Sequence, residues 1–226
     1  MSRSYQQYCP LARALDIVGD RWTLLILREL LFAPKRFTDV QQRLDGIAPN
    51  LLSRRLKELE ARGLVRRRRL DPPAAATVYE ATEQARGLQT AMLELARWGV
   101  GFLGAYDGAE RFSVEWLVPI LEEIADREAA RGVWDLYQFR IGEEPFWVEV
   151  TDGHVIVRTG EPPREPDLYV ELDVETFMAI GFGTLEPADA FAAGRARASG
   201  DLTKTQTALD ILSPARIFSK AVTTPA

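Results

Sequence analysis

The chain has 226 residues, a formal net charge of −5, one Cys and one His. That length gives room for one or two domains with a real core. The single Cys excludes an intrachain disulfide framework, and one His far from one Cys leaves no obvious nucleophile–base pair and no Cys/His metal cluster. The charge is divided unevenly. Residues 1–70 hold 15 Lys or Arg against 7 Asp or Glu, and residues 71–226 hold 13 against 26. A basic first part and an acidic second part imply separate jobs, the first attracted to a phosphate backbone and the second repelled by it.

The first elements read as helices. Leu11 to Val18 is a short helix stopped by Gly19, and Asp20 is expected to cap a longer one from Arg21 to Phe32, ended by Ala33-Pro34. Its apolar runs are interrupted by Arg28 and Glu29, so it is a core helix with no membrane-spanning length. Thr38 with Gln41 reads as a capping box for a helix from about Asp39 to Leu44. The link Asp45-Gly46-Ile47-Ala48 has the length of a helix-turn-helix connection.

The next helix opens at Pro49, where a missing N–H costs nothing. Leu52, Leu56 and Leu59 form its buried stripe, and Gly63 suits the left-handed turn that ends it. Asn50, Ser53, Arg54 and Lys57 recur on the opposite face. Arg can fork onto guanine, Asn can pair with adenine, and Ser and Lys suit phosphates. Taken alone, the helix is equally an amphipathic surface helix with solvated charges, and Glu58 and Glu60 agree with that.

Its neighbours weigh the other way. Leu64-Val65 leads into Arg66, Arg67, Arg68 and Arg69. Asp71-Pro72-Pro73 breaks the strand, and Thr77-Val78-Tyr79 can return beside it. Four consecutive arginines on a strand alternate between faces, so they are not all neutralised in a core. A hairpin beside a helix-turn-helix is a winged helix, and a phosphate-gripping wing outweighs a merely solvated charge run.

Thr82 is expected to cap a third long helix from about Glu83 to Leu103. Leu88, Met92 or Ala91, Leu95, Gly99 or Trp98, and Phe102 recur there at heptad-like spacing. That stripe is either domain core or a seam against a second subunit, aided by the apolar segment around Tyr5, Tyr8 and Leu11. The stretch Gly104–Gly108 then reads as a boundary between domains at 1–107 and 111–226.

The second half is patterned as an α+β layer. An amphipathic helix with an acidic face is expected over Phe112–Arg131. Tyr137, Phe139 and Ile141, then Phe146, Val148 and Val150, alternate like strands, and Asp152-Gly153 turns them toward Val155 and Val157. Leu168, Val170 and Leu172 alternate again. Asp173 caps a short helix to Ile180, Glu186-Pro187 opens another to Ala193, and Arg195–Ser199 reads as a last strand. Gly200-Asp201 then turns into a final helix through Leu212. His154, the only His, falls in a hairpin turn, where an exposed and idle side chain is usual.

Several ordered motifs resemble the HxlR-type winged-helix transcription regulators: Cys9-Pro10, Gly19 to Leu27, Arg36-Phe37-Thr38-Asp39, and the segment from Pro49-Asn50 to Leu59. The likeness covers about residues 5–104. It implies a homodimer on a palindromic operator, with Pro49, Asn50, Ser53, Arg54 and Lys57 as contacts in the major groove. Arg36 and Arg66–Arg69 would touch the DNA backbone. Two departures stand out. Ala48 cannot cap the helix, and Tyr79-Glu80-Ala81-Thr82-Glu83-Gln84-Ala85 replaces the usual Tyr-x-Leu-Thr-x-x-Gly. Some members use an N-terminal Cys as a redox sensor, and Cys9 sits at the matching place. Its sequence neighbours supply no close cation except Arg13, so a buried, inert thiol is the rival reading.

The second half resembles the sterol-carrier-protein-type domain through Trp147-Val148-Glu149-Val150 with Asp152-Gly153-His154-Val155, Gly183 to Pro187, and Gly200-Asp201. This implies an apolar cavity for a small hydrophobic ligand, or a filled one that only supports assembly. No dinucleotide or phosphate-loop fingerprint appears, so neither cofactor nor catalytic residue is expected. Without an evident leader or membrane span, the expected place is the cytoplasm. Three functions compete: a ligand-modulated transcription regulator on duplex DNA, a lipid or small-molecule binding protein with an inactive DNA module, and a carboxylate-based hydrolase in the second half. The groove face and arginine wing favour the first.

Overall fold

A computed structural model describes residues 4–71 and 75–212. Pro72 and Pro73 of the expected strand break, and the part of the second domain beyond Leu212, lie outside them. The chain folds as two compact units, Met1–Glu94 and Leu95–Ala226.

The first unit begins with α1 (Pro10–Val18) and α2 (Thr23–Phe32). Gly19 follows α1 at a point that admits no side chain, since a Cβ there would meet the Leu15 carbonyl at 2.5 Å. The expected Asp20 cap on α2 is not made. Trp22 precedes that helix in the left-handed region, at φ 79°, and the Asp20 carboxylate instead pairs with Arg55. Then come α3 (Phe37–Arg43) and α4 (Pro49–Ala61). The cap of α3 differs from the expected Thr38–Gln41 box: the Arg36 amide donates to the Asp39 carboxylate at 3.1 Å. An ionised acceptor at that position also suits the positive end of the helix dipole.

Ile26, Leu27, Leu30, Val40, Leu52, Leu56 and Leu59 bury almost completely and tie the three helices into one core. Gly63, at φ 72°, closes α4 and lets the Leu64 amide reach back to the Leu59 carbonyl at 3.0 Å. That pattern of bonds ends a helix at a left-handed glycine. The wing follows as β1 (Val65–Arg69), antiparallel to β2 (Thr77–Ala81), with Arg67 opposite Tyr79 and Arg66 opposite Glu80.

The single long helix expected from Glu83 is two pieces, α5 (Glu83–Arg86) and α6 (Gln89–Val100). Gly87 stands at the break, and the Leu88 amide bonds the Ala85 carbonyl at 3.0 Å in a tighter turn. A glycine inside a helix costs about 0.5–1 kcal/mol relative to Ala, and local packing decides the outcome. Thr82 does cap α5, accepting from the Ala85 amide at 3.4 Å. The two compact units meet between Glu94 and Leu95, within α6.

In the second unit the helix expected over Phe112–Arg131 shrinks to a 3-10 turn, Val114–Trp116, and α7 (Val118–Ile124). Asp126 accepts the Glu128 and Ala129 amides, both at 3.0 Å, and so starts a separate turn. The strands are β3 (Trp134–Ile141), β4 (Glu144–Thr151), β5 (His154–Thr159), β6 (Leu168–Leu172) and, after α8 (Val174–Gly181) and α9 (Pro187–Ala192), β7 (Ala196–Gly200). A 3-10 turn, Leu202–Lys204, leads into α10 (Thr205–Leu212).

The sheet order is β5-β4-β3-β6-β7. Asp152 and Gly153, at φ 45° and 83°, make the two-residue turn between β4 and β5. Hairpins alone do not account for this sheet, because β3 and β6 pair in parallel, Tyr137 beside Leu168. Gly200, at φ 89°, lies so close to Asp167 that a side chain would meet its carbonyl at 2.6 Å. Among the described residues no helix is long and apolar enough to cross a membrane.

Candidate nucleic-acid interface

The leucine stripe of α4 fixes which of its faces is left outside. With Leu52, Leu56 and Leu59 buried, Asn50, Arg54 and Lys57 are exposed and Ser53 is half-buried on one shared surface. The side chains of these four make no hydrogen bond or ion pair with any described residue. Arg55 is different. Its guanidinium reaches Asp20 at 2.5 Å and Glu58 at 2.6 Å, which ties α4 to the start of α2. The cations on α4 therefore divide into one used for assembly and two left for a partner. Pro49 sits exposed at the first turn, and Ala48 before it supplies no side-chain cap.

Arg36 is exposed at the N-cap of α3. Under α3 lies a fully buried carboxylate, Glu29, which takes the Arg28 guanidinium at 2.8 Å and the Arg43 Nε at 2.6 Å. Lys35 donates to the Glu29 backbone carbonyl at 2.8 Å. Burial alone would push the Glu29 carboxyl up; the Arg43 hydrogen bond and the Arg28 charge outweigh it and hold it below its ordinary value.

On the wing all four arginines are exposed. Arg66 and Arg68 both bond Glu80 through Nε, at 2.5 and 2.9 Å. These two guanidinium groups hold the Glu80 carboxyl below its ordinary value, Arg66 contributing most. Arg67 lies over the Tyr79 ring, 5.3 Å from its centroid, and 3.5 Å from Glu60. Arg69 has no ionic partner among the described residues. The expected contacts other than Arg36 thus fall on two exposed elements, α4 and β1, joined by the Gly63 turn.

The sequence alone does not show the ion-pair roles of Glu80, Glu60, Glu29 and Asp20. Only Glu80 carried a usable signal. Once the hairpin is aligned, it stands opposite Arg66.

Cys9 is half-buried and begins α1 as its N-cap, its carbonyl accepting the Arg13 amide at 2.9 Å. The Arg13 guanidinium turns to Asp16 at 3.3 Å. Asp16 also accepts the Tyr5 amide and the Ser4 hydroxyl, both at 2.9 Å, and the Tyr5 bond chiefly lowers its pKa. The one cation near Cys9 in sequence is thereby engaged elsewhere. In the second unit, Phe139, Phe146, Leu168, Phe177, Ile180 and Phe191 line an apolar cavity of about 80 Å³ between the sheet and its helices.

A winged helix that exposes an unpaired cationic helix beside a basic hairpin defines a DNA-binding transcriptional regulator. The chain belongs to the HxlR-like helix-turn-helix family, whose model matches residues 17–107. Residues 119–213 match the SCP-2 sterol transfer family. The HTH-type transcriptional regulator YodB of Bacillus subtilis is 34% identical over 95 residues, covering 42% of this chain and 85% of that protein. The uncharacterized HTH-type regulator YvaP of the same organism is 31% identical over 98 residues, 43% of this chain and 91% of its own length. The reduced form of YodB aligns with a TM-score of 0.39 at 32% identity, covering 45% of this chain and all of that one.

Proposed function

We propose that this regulator reads a duplex operator with Pro49, Asn50, Ser53, Arg54 and Lys57 of α4, while Arg36 and the Arg66–Arg69 strand hold the phosphate backbone. The carrying observation is that Asn50, Arg54 and Lys57 are exposed and uncompensated on one helix face. An unpaired surface cation beside an amide side chain suits phosphate and base-edge contacts. A neutralised surface helix would have spent these groups on neighbours, as Arg55 does with Asp20 and Glu58.

The reading unit is a homodimer. Leu95, Trp98, Phe102 and Leu103 leave a large apolar surface on and just after α6, and Tyr5, Tyr8 and Leu11 leave another at the N-terminus. Exposed apolar groups of this size mark interaction sites. Two copies related by a two-fold axis would present two α4 helices to half-sites one helical turn apart. The apolar cavity of the second unit accepts a small hydrophobic ligand, and its occupancy modulates operator affinity.

The test selects sites from a random duplex pool with the full-length protein and measures affinity against salt. A preferred, two-fold symmetric sequence is expected, with binding that weakens steeply as salt rises. No preference for any duplex in dilute buffer overturns the reading. For the ligand, uptake of an apolar fluorophore should be lost when Ala208 on the cavity wall becomes Trp, and the fluorophore should shift operator affinity in the unsubstituted protein. Uptake without that shift removes the modulation and leaves DNA reading intact.

A further inference from the structure

The wing carries four arginines, but they are not equivalent. Side chains on a strand alternate between faces, so Arg66 and Arg68 share one and Arg67 and Arg69 the other. Glu80 faces the first pair across the hairpin. Its two carboxylate oxygens are divided between them, Oε1 taking the Arg66 Nε at 2.5 Å and Oε2 the Arg68 Nε at 2.9 Å. Only the Nε of each guanidinium is engaged, so the two outer amino groups of both remain for a partner. The exposures agree: the Glu80 side chain is 11% exposed, while those of Arg66 and Arg68 are 69% and 49%. A phosphate arriving from solvent meets two guanidinium groups side by side, with the carboxylate behind them.

We propose that Glu80 is a positioning residue for DNA recognition: it locks Arg66 and Arg68 into a fork that fits one register of the phosphate backbone, and it subtracts one charge from the wing. This rests on the DNA-reading function above. Two free arginines would follow any phosphate within reach of their long side chains. Held through Nε, they have fewer arrangements, so the gain in a matching register is larger and the gain elsewhere smaller. The negative charge beneath them acts in the same direction, because it weakens the salt-dependent, sequence-independent attraction that all duplexes share. Glu80 thus trades general phosphate affinity for discrimination between sites.

The test compares the full-length protein with Glu80→Gln, with the Arg66→Ala/Arg68→Ala double variant, and with all three changes together. Each is titrated with the selected duplex and with a random duplex over a range of salt. Glu80→Gln should bind the random duplex about 3- to 10-fold more tightly at low salt. Its log–log salt slope should steepen by about 0.9, the value of one added phosphate contact. The ratio of selected to random affinity should fall. In the Arg66→Ala/Arg68→Ala background the same change should leave that ratio where it is, because nothing remains to be positioned. A Glu80 that only braces the hairpin predicts otherwise: lower stability with an unchanged ratio, or an equal fall in both backgrounds, and either result overturns the proposal. Should Glu80→Gln not fold, the arginine double variant still decides, since it must flatten the slope by about 1.8, or two contacts. An unchanged slope overturns the proposal. A protein that binds no duplex at all overturns the DNA-reading function itself, which separates the two failures.

Discussion

Arg43 on α3 and Glu29 on α2 form an ion pair in which the carboxylate has no exposure to solvent and the Nε–oxygen distance is 2.6 Å. This pair fixes the first helix of the helix-turn-helix against the core, and Arg28 completes the neutralisation at 2.8 Å. Removing one partner of a buried pair costs on the order of 3–5 kcal/mol. Arg43→Met should therefore destabilise the first unit by about 3 kcal/mol. Glu29→Gln should cost less, because the two arginines freed by it are partly exposed. The acid dependence has a definite sign. The folded Glu29 carboxyl titrates below its unfolded value, so its contribution is complete above the unfolded range and is lost as pH falls through the folded value. Denaturant unfolding from neutral pH down to about pH 3 should show a flatter profile for Glu29→Gln than for the parent protein. Parallel profiles would refute this role.

Arg54 and Arg67 make a matched contrast. Arg54 is exposed on the outer face of α4 without a protein partner among the described residues, and Arg67 lies on the wing over Tyr79. Arg54→Ala should cost about 1–3 kcal/mol on the preferred site and relax base preference at one position. Arg67→Ala should flatten the salt slope by about 0.9 without changing the preferred sequence. Selection from a random pool with each variant, followed by salt titration, distinguishes the two roles. Identical behaviour of both variants would mean that α4 touches only phosphates.

The helix α4 is legible from sequence because its signals are local. A leucine stripe, Pro49 at the start and Gly63 at the end specify α4 and its outer face without reference to the rest of the chain. Short strands and two-residue turns such as Asp152-Gly153 were equally plain. What escaped detection depends on distant partners. Asp20 looks like a helix cap, yet it answers Arg55, 35 residues away. Asp39 displaces the Thr38–Gln41 pair because a carboxylate is the stronger acceptor for an N-terminal amide. The parallel pairing of β3 with β6 joins residues with two strands between them in sequence, and no local pattern encodes it. The four arginines read as one feature; only the hairpin register separates the Glu80-bound pair from the other two.

Trp98 and Phe102 stack at a tilt with ring centroids 4.6 Å apart, and both are more than half exposed. An aromatic pair left outside is a costly surface for a lone chain. Trp98→Ser with Phe102→Ser should shift the protein from dimer to monomer in sedimentation and weaken operator binding by at least 100-fold, since each half-site alone retains only part of the contacts. Fluorophore uptake in the second-unit cavity should be unaffected. A variant that stays dimeric would move the seam elsewhere.

Lys204 sits where three carboxylates converge. Its ammonium pairs with Asp135 and lies 3.6 Å from Asp167, and Asp201 caps the turn that carries it. Asp135 also accepts the Tyr137 hydroxyl at 2.7 Å, and Asp167 accepts the Leu136 amide at 2.8 Å. The cluster therefore fastens the turn before α10, one wall of the apolar cavity, to the central strand β3. The Asp135 hydrogen bond raises the Lys204 pKa. Burial would raise that of Asp167, but the Leu136 amide and the Lys204 charge prevail and lower it. By sign, the lysine's contribution persists until pH exceeds its raised value, and that of Asp167 fails as pH falls through its lowered one. Lys204→Met takes the shared cation from Asp135 and Asp167 and leaves, among the described residues, only Arg164, 3.4 Å from Asp167, a loss of about 1–3 kcal/mol at neutral pH. Acid should reverse part of that loss, because Asp167, without the Lys204 charge that helps to lower its pKa, then protonates at higher pH than in the parent protein. Amide exchange in β7 and α10 should thus accelerate strongly in the variant at pH 7 and far less, relative to the parent, near pH 4. Equal acceleration at both values would show that the methylene stem packs the wall and the charge does nothing.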